Sequence, residues 1–271
     1  MNIIPYTFYW ITLDNINDDK LCKESMLRQS KLFNQFKKYS IKNIKVSATH
    51  YKKLVINKNK KNRTFIKKHN TNIVHLKKIL ACSISHLFAI KKFYNDCLLN
   101  ITVRNNKVSF KKNKCITDIG IICEDDLSFK YIRKWPHSIQ HIIKNTPKKW
   151  DILKLSETLS KIDKNYFTNK NDNMYIKKNL WSTLCYVINR KCAKKLVNMY
   201  FKNNEIIIND NLINAEQLFN KQNLNVYTYK LPLFTYLNPK KYQSLIHNNH
   251  LPLHIRGYKI MNKIWKMYEK I

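Results

Sequence analysis

With 271 residues, 44% of them hydrophobic, the chain can bury a sizeable core, which excludes an intrinsically disordered protein. Its 51 Lys and Arg against 17 Asp and Glu leave a formal net charge of +34, for which there are two sources: a polyanionic partner such as nucleic acid or an anionic membrane surface, or an A/T-rich coding composition favouring Lys, Asn, Ile and Tyr while Gly stays at 2. Seven cysteines, odd in number and without a CxxC pair, argue against a zinc ribbon and a complete disulfide framework and favour a reducing compartment.

No apolar run reaches bilayer-spanning length, and no charged segment precedes an apolar core at the N-terminus, so a cytoplasmic protein, soluble or peripheral to a membrane, is expected. Residues 6–13 (YTFYWITL) are aromatic and β-branched and predict a strand, with Asp14-Asn15 as its exit turn. From 18 to 39, Leu21, Met26, Leu27, Leu32, Phe33 and Phe36 recur at helical spacing among charges, an amphipathic helix. A second strand follows at 44–48 (IKVSA). Strand, helix and strand in that order imply a right-handed crossover and a parallel sheet.

Residues 51–70 form a Lys-rich loop with few apolar anchors. Residues 72–96 carry the longest helical pattern, its inner face drawn from Val74, Ile79, Leu80, Ile84, Leu87, Phe88 and Ile90. Cys82, Ser83, Ser85 and His86 put small and polar groups in the middle of that helix, where another group can approach; a histidine that merely packs and hydrogen-bonds in the core is the commoner alternative. Residues 99–114 read as a hairpin around Asn105-Asn106.

The run 119–126 (IGIICEDD) is the centre of the chain: a short β-branched strand that stops on Glu124, Asp125 and Asp126. The acids therefore lie at the strand's carboxyl end, the edge at which open α/β sheets bind ligands. Three adjacent carboxylates repel one another and call for a cation, best a hard divalent ion, Mn²⁺ or Mg²⁺, that brings a phosphate group with it; the alternative is a solvated acidic turn. Acids turned away from any cavity, or all locked in salt bridges, would remove the basis of this reading.

Beyond the acids, 135–145 predict a helix with Pro136 in its first turn, and 150–155 (WDILKL) a strand leading to Ser156-Glu157 at the same edge. A second hairpin is expected at 166–178, a buried strand at 182–188 (STLCYVI) and an amphipathic helix at 190–200. Residues 206–208 end on Asn209-Asp210-Asn211, another apolar run stopping at an acid. A short helix through Leu218 and a strand at 226–229 (VYTY) lead to Pro232-Leu233-Phe234, giving one domain over 1–240 and a basic tail or helix at 241–271. The tail carries His247, His250 and His254; Pro252 argues against a regular helix there, while 255–271 alternate Lys with apolar residues and could dock on the domain or rest on an anionic membrane.

Taken in order, FYWITLD with Arg28 in the next helix, ACSISHLFAIKKF, IGIICEDDLSF, WDILKLSE, STLCYVINRKCAKKLV, and Asn209-Asp210 before VYTYKLPLF resemble glycosyltransferase family 25, over roughly residues 6–236. That family includes bacterial lipopolysaccharide sugar transferases and collagen galactosyltransferases. The resemblance implies an α/β, GT-A-like single domain with a mostly parallel central sheet flanked by helices that binds a nucleotide sugar. It also implies metal-dependent, inverting transfer of a hexose, galactose or glucose, from a UDP-sugar to a hydroxyl of a glycan or protein acceptor. Ala81-Cys82 departs from the family, where a small residue, usually Gly, opens the Ser-His motif.

On this reading Asp126 is the first ligand of Mn²⁺ (or Mg²⁺), with Glu124 beside it and His254 as a late ligand from the tail. Arg28, Ser85, His86, Glu124 and Asp125 contact the nucleotide sugar, although Arg28 reads equally as a surface helix residue. Asp210 is the candidate base, or alternatively the N-cap of the helix after it, with Glu157 in reserve. The competing class is a basic nucleic-acid-binding protein without enzymatic activity; it lacks any recognisable zinc finger, RRM or basic zipper.

Overall fold

In the computed structural model the described residues are 4–14, 19–55, 72–96, 100–104, 107–111, 118–158, 162, 166–167, 173–180, 182–207, 218–219, 223–242 and 251–271. The chain opens as expected, with β1 (Phe8–Thr12), α1 (Asp19–Lys38) and β2 (Asn43–Ser47), the two strands pairing in parallel from Phe8 opposite Asn43 to Thr12 opposite Ser47. All five β1 side chains are buried, as an unbroken aromatic and β-branched run covered on both faces must be. The buried stripe of α1 is Ser25, Arg28, Leu32 and Phe36, spaced three to four residues apart. Met26, Leu27 and Phe33, which helical spacing had grouped with that face, are 52–61% exposed.

A 3₁₀ turn at Tyr51–Lys53 precedes α2 (Ile73–Asn95), whose N-terminus is capped by Asn72 accepting from the His75 N–H at 2.9 Å. By length and composition α2 could cross a bilayer, contrary to the expectation that no run is long enough. More than half of its most apolar stretch is buried, and it packs on β1 and β2, so here it is the core helix of the sheet. Val74 and Phe88, expected inside, lie toward solvent, while Ser83, Ser85 and His86 are buried. β3 (Asn100–Arg104) and β4 (Lys107–Lys111) pair antiparallel, from Asn100 opposite Lys111 to Arg104 opposite Lys107.

The central strand is β5 (Ile119–Glu124), followed by β6 (Leu127–Ser128) and a 3₁₀ turn at Ile132–Lys134. The helix expected over 135–145 begins only at α3 (Ile139–Lys144). Trp135, preceding Pro136, is held extended, and Ser138 caps the helix by accepting from the His141 N–H at 3.2 Å. β7 (Ile152–Lys154), β8 (Tyr175–Ile176), β9 (Cys185–Asn189) and α4 (Arg190–Tyr200) come next, then β10 (Phe201–Lys202), β11 (Glu205–Ile206), β12 (Val226–Tyr229), β13 (Thr235–Tyr236) and α5 (Leu251–Tyr268). Among the described residues of 166–178, where a second hairpin was expected, β8 pairs antiparallel with β12.

The main sheet has the order β2-β1-β5-β9-β7-β12-β8. Five strands run one way, β9 and β8 the other, so it is a mixed sheet with a mostly parallel set of strands. Reversal of β9 matters for the site: it brings Thr183 and Leu184, just before β9, to the edge where β5 and β7 end. Alternation along β1 sends Phe8 and Trp10 into one core with Phe36, Phe129 and Phe234, and Tyr9 and Ile11 into the other with Ile84, Leu87 and Phe93. Gly120 makes the second layer possible, since a Cβ there would sit 2.6 Å from the Phe93 ring.

From residue 251 the basic tail is a helix that shares the domain's core. Met261, Ile264 and Trp265 of α5 are fully buried, and Trp265 stacks on Tyr131 with ring centres 4.6 Å apart and donates to the Pro232 carbonyl at 2.8 Å. Pro252 does not prevent this helix: it sits in the first turn, where its missing N–H breaks no helical bond.

Candidate functional site

A cleft of about 640 Å³, counting its open mouth, lies at the carboxyl edge of β1 and β5. Thr12 and Leu13 line it from the end of β1, Arg28 from α1, Thr49 to Tyr51 from the segment after β2, Cys82, Ser85 and His86 from α2, and Glu124 and Asp125 from the end of β5. This is the edge the sequence assigned to ligand binding.

The three acids have separate surroundings. Asp125 is locked: Arg28 Nη2 bonds one carboxylate oxygen and the Thr12 hydroxyl donates to the other at 2.7 Å. Burial pushes the Asp125 carboxyl up, and Arg28 and Thr12 pull against it. The same three carboxylates raise the Arg28 guanidinium although burial opposes its charge, so it stays a cation in the cleft wall. Arg28 is thus a buried site residue, not a surface residue of its helix.

Glu124 accepts from the Thr183 hydroxyl at 2.6 Å and lies 3.4 Å from His86 Nε2. Burial works to raise its carboxyl, but His86 and Thr183 prevail and hold it down at about 2. Asp126 is nearly buried, and its Oδ1 makes no hydrogen bond. Burial first, then repulsion from Glu124 and Asp125, raises the Asp126 carboxyl to about 7 against the pull of Arg28. Its backbone carbonyl accepts from Leu237 at 2.6 Å, tying the acidic turn to the segment that follows β13.

Ser85 and His86 are both in the cleft. The Ser85 hydroxyl donates to the Ala81 carbonyl at 2.6 Å and accepts from the Thr49 N–H at 2.9 Å, so it fastens the segment after β2 to α2. His86 is buried, with Nδ1 3.2 Å from the Tyr186 hydroxyl. The ligand atoms of Cys82, His86 and Glu124 all lie within 4.8 Å of one another, the group of this kind that the described residues bring together. Asp126, Glu124 and His254 are not gathered in that way; His254 meets the Tyr236 ring edge-on at 5.5 Å.

Glu157 is fully buried beyond the end of β7. Tyr166 donates to its Oε1, Oε2 has no hydrogen-bond partner, and burial lifts the carboxyl to about 8 against that bond and the charges of Lys154 and Lys230. A carboxyl raised this far favours its protonated form at neutral pH. Asp210, His247 and His250 lie outside the described residues.

Two site residues carried no signal strong enough to single them out. Thr12 closes an apolar run, and Thr183 reaches Glu124 only because β9 is reversed against β5. Cys82 did leave a trace, standing four residues before His86 on one helical face. At the same edge Ser182, with φ of 129°, holds a backbone conformation uncommon outside glycine; its hydroxyl lies 3.2 Å from that of Tyr236.

The fold and cleft define a mixed α/β protein with a cleft at its strand ends. No family model matches the sequence, and no curated protein matches it.

Proposed function

We propose that the chain is a metal-dependent inverting glycosyltransferase resembling family 25, built as a GT-A-like domain. It would move a hexose, galactose or glucose, from a UDP-sugar to a hydroxyl of a glycan or protein acceptor. One observation carries this reading: the central strand ends on Glu124, which with Asp125 lines a cleft at the sheet's carboxyl edge, and Asp126 follows in the turn. Mn²⁺ or Mg²⁺ suits the donors, because Asp126 Oδ1 is a buried oxygen without a hydrogen bond and Glu124, two residues before it, is ionised. Such an ion would supply Lewis-acid neutralisation of the charge on a departing diphosphate.

The chain's own residues divide the remaining work. Arg28, positioned by Asp125, places a permanent cation in the wall where a diphosphate would lie. Tyr51 offers a ring in the same cleft, with Lys78 5.4 Å from its centre. Asp210 remains the proposed base. Buried thiols at Cys123, Cys185 and Cys192, none in a disulfide, fit a reducing, cytoplasmic setting, and the basic surface fits peripheral contact with an anionic membrane.

A thermal-shift screen of UDP-galactose and UDP-glucose, with and without Mn²⁺, tests this directly. Expected are a metal-dependent rise in melting temperature, sugar release or transfer, and loss of turnover in Asp126→Ala with the fold retained. No shift with any nucleotide sugar in the presence of Mn²⁺ would overturn the proposal.

A further inference from the structure

We infer that Cys82, His86 and Glu124 form a binding site for a thiophilic divalent ion of the Zn²⁺ type, with one coordination position open to the cleft. The set shares Glu124 with the Mn²⁺ or Mg²⁺ ligands proposed above but adds a thiol and an imidazole in place of Asp126, and the inference stands whether or not the cleft transfers a sugar.

Geometry is the first support. Cys82 and His86 are one helical turn apart on α2, so both face the end of β5, and their ligand atoms lie within 4.8 Å of each other and of Glu124. His86 Nε2 is buried and faces Glu124 Oε1 from 3.4 Å. That distance is long for a hydrogen bond to a carboxylate. It matches the spacing of about 3.4 Å between a nitrogen and an oxygen each bound at about 2.0–2.1 Å to one tetrahedral ion. A thiolate on the same ion would stand about 3.6 Å from the nitrogen, which the half-buried Cys82 side chain can reach by a small movement along the helix face.

The surroundings are those a metal ligand needs. With an ion on Nε2 the ring proton would sit on Nδ1, 3.2 Å from the Tyr186 hydroxyl, a contact that would fix ring orientation and tautomer. Thr183 orients Glu124 in the same way at 2.6 Å. Three protein ligands with cleft space for a fourth is the arrangement of an open zinc site, and soft sulfur with imidazole selects Zn²⁺ or Co²⁺ over Mg²⁺. On binding, the Cys82 thiol proton passes to solvent.

Full-length protein stripped of metal with a chelator and titrated with Co²⁺ gives the test. Expected are a near-ultraviolet thiolate-to-cobalt charge-transfer band and four-coordinate visible bands, both removed by equimolar Zn²⁺. Cys82→Ser should abolish the charge-transfer band, and Tyr186→Phe should weaken Zn²⁺ binding about 10–100-fold with every ligand kept. In the wild type, Zn²⁺ should also shield Cys82 from alkylation, a readout that does not depend on any variant folding. No charge-transfer band, a band that survives Cys82→Ser, or alkylation of Cys82 at the same rate with and without Zn²⁺ would overturn the site. None of these measurements involves a nucleotide sugar, so they separate the ion site from the transferase reading.

Discussion

Glu157 should make the stability of this protein fall as pH rises, against the usual direction for a carboxylate. Its carboxyl is fully buried and stands at about 8 in the folded chain, against the ordinary value of 4.5. Between those two values the folded state holds a proton that the unfolded chain has released, so stability must decline with pH. The stabilisation is complete below 4.5 and is lost as pH climbs through 8. At about 1.4 kcal/mol per pH unit, the span corresponds to roughly 5 kcal/mol, a large part of a typical domain's stability. Glu157→Gln keeps the shape and the contact with Tyr166 but cannot ionise. Urea unfolding of both proteins at intervals from pH 4.5 to 9 should give curves that diverge, the variant gaining on the wild type by several kcal/mol toward the alkaline end. Asp126, raised to about 7, titrates in the same window but is common to both proteins and cancels in the difference. Curves that stay parallel across the range would refute buried, protonated Glu157.

Arg28→Met should cost about 3–5 kcal/mol in urea unfolding because it leaves Asp125 buried without its partner, and the double variant Arg28→Met with Asp125→Leu should recover most of the loss. Gly120→Ala places a methyl 2.6 Å from the Phe93 ring and should destabilise by about 1–3 kcal/mol, with partial recovery when Phe93→Leu makes room. Trp265→Ala should cost about 3–5 kcal/mol and lower the melting temperature of the whole domain in one transition, since α5 shares the core of β1 and β5. A separate low-temperature transition, with the rest unaffected, would show α5 to be an appendage.

Apolar periodicity was a sound guide wherever burial is strong. β12 and α4 fall on the predicted residues, and β1, α1, β2 and α2 begin and end within one or two residues of expectation, because long apolar runs leave one register that buries them. It misled at α1, where Met26, Leu27 and Phe33 face outward: a polar residue, Arg28, competes for the inward stripe and wins through Asp125. Local sequence also cannot show that β9 runs against its neighbours, and that reversal alone delivers Thr183 to Glu124. Ser138 and Pro136 together displaced the start of α3, a capping effect visible in the sequence but outweighed there by the preference for Pro in a first turn.

Three neighbouring carboxylates were expected to need a cation, and the chain supplies two answers before any ion is considered. Asp125 is neutralised by Arg28, and Glu124 is held ionised by His86 and Thr183. The acids differ in their partners because the strand ends at Glu124 and Asp125-Asp126 form the turn into β6. What remains is Asp126, with one buried oxygen unpaired and a carboxyl pushed up by its neighbours. Two of the three acids are thus fixed by the fold, while the third keeps one buried carboxylate oxygen unpaired. Salt bridges alone would have consumed all three, and a solvated turn would have buried none.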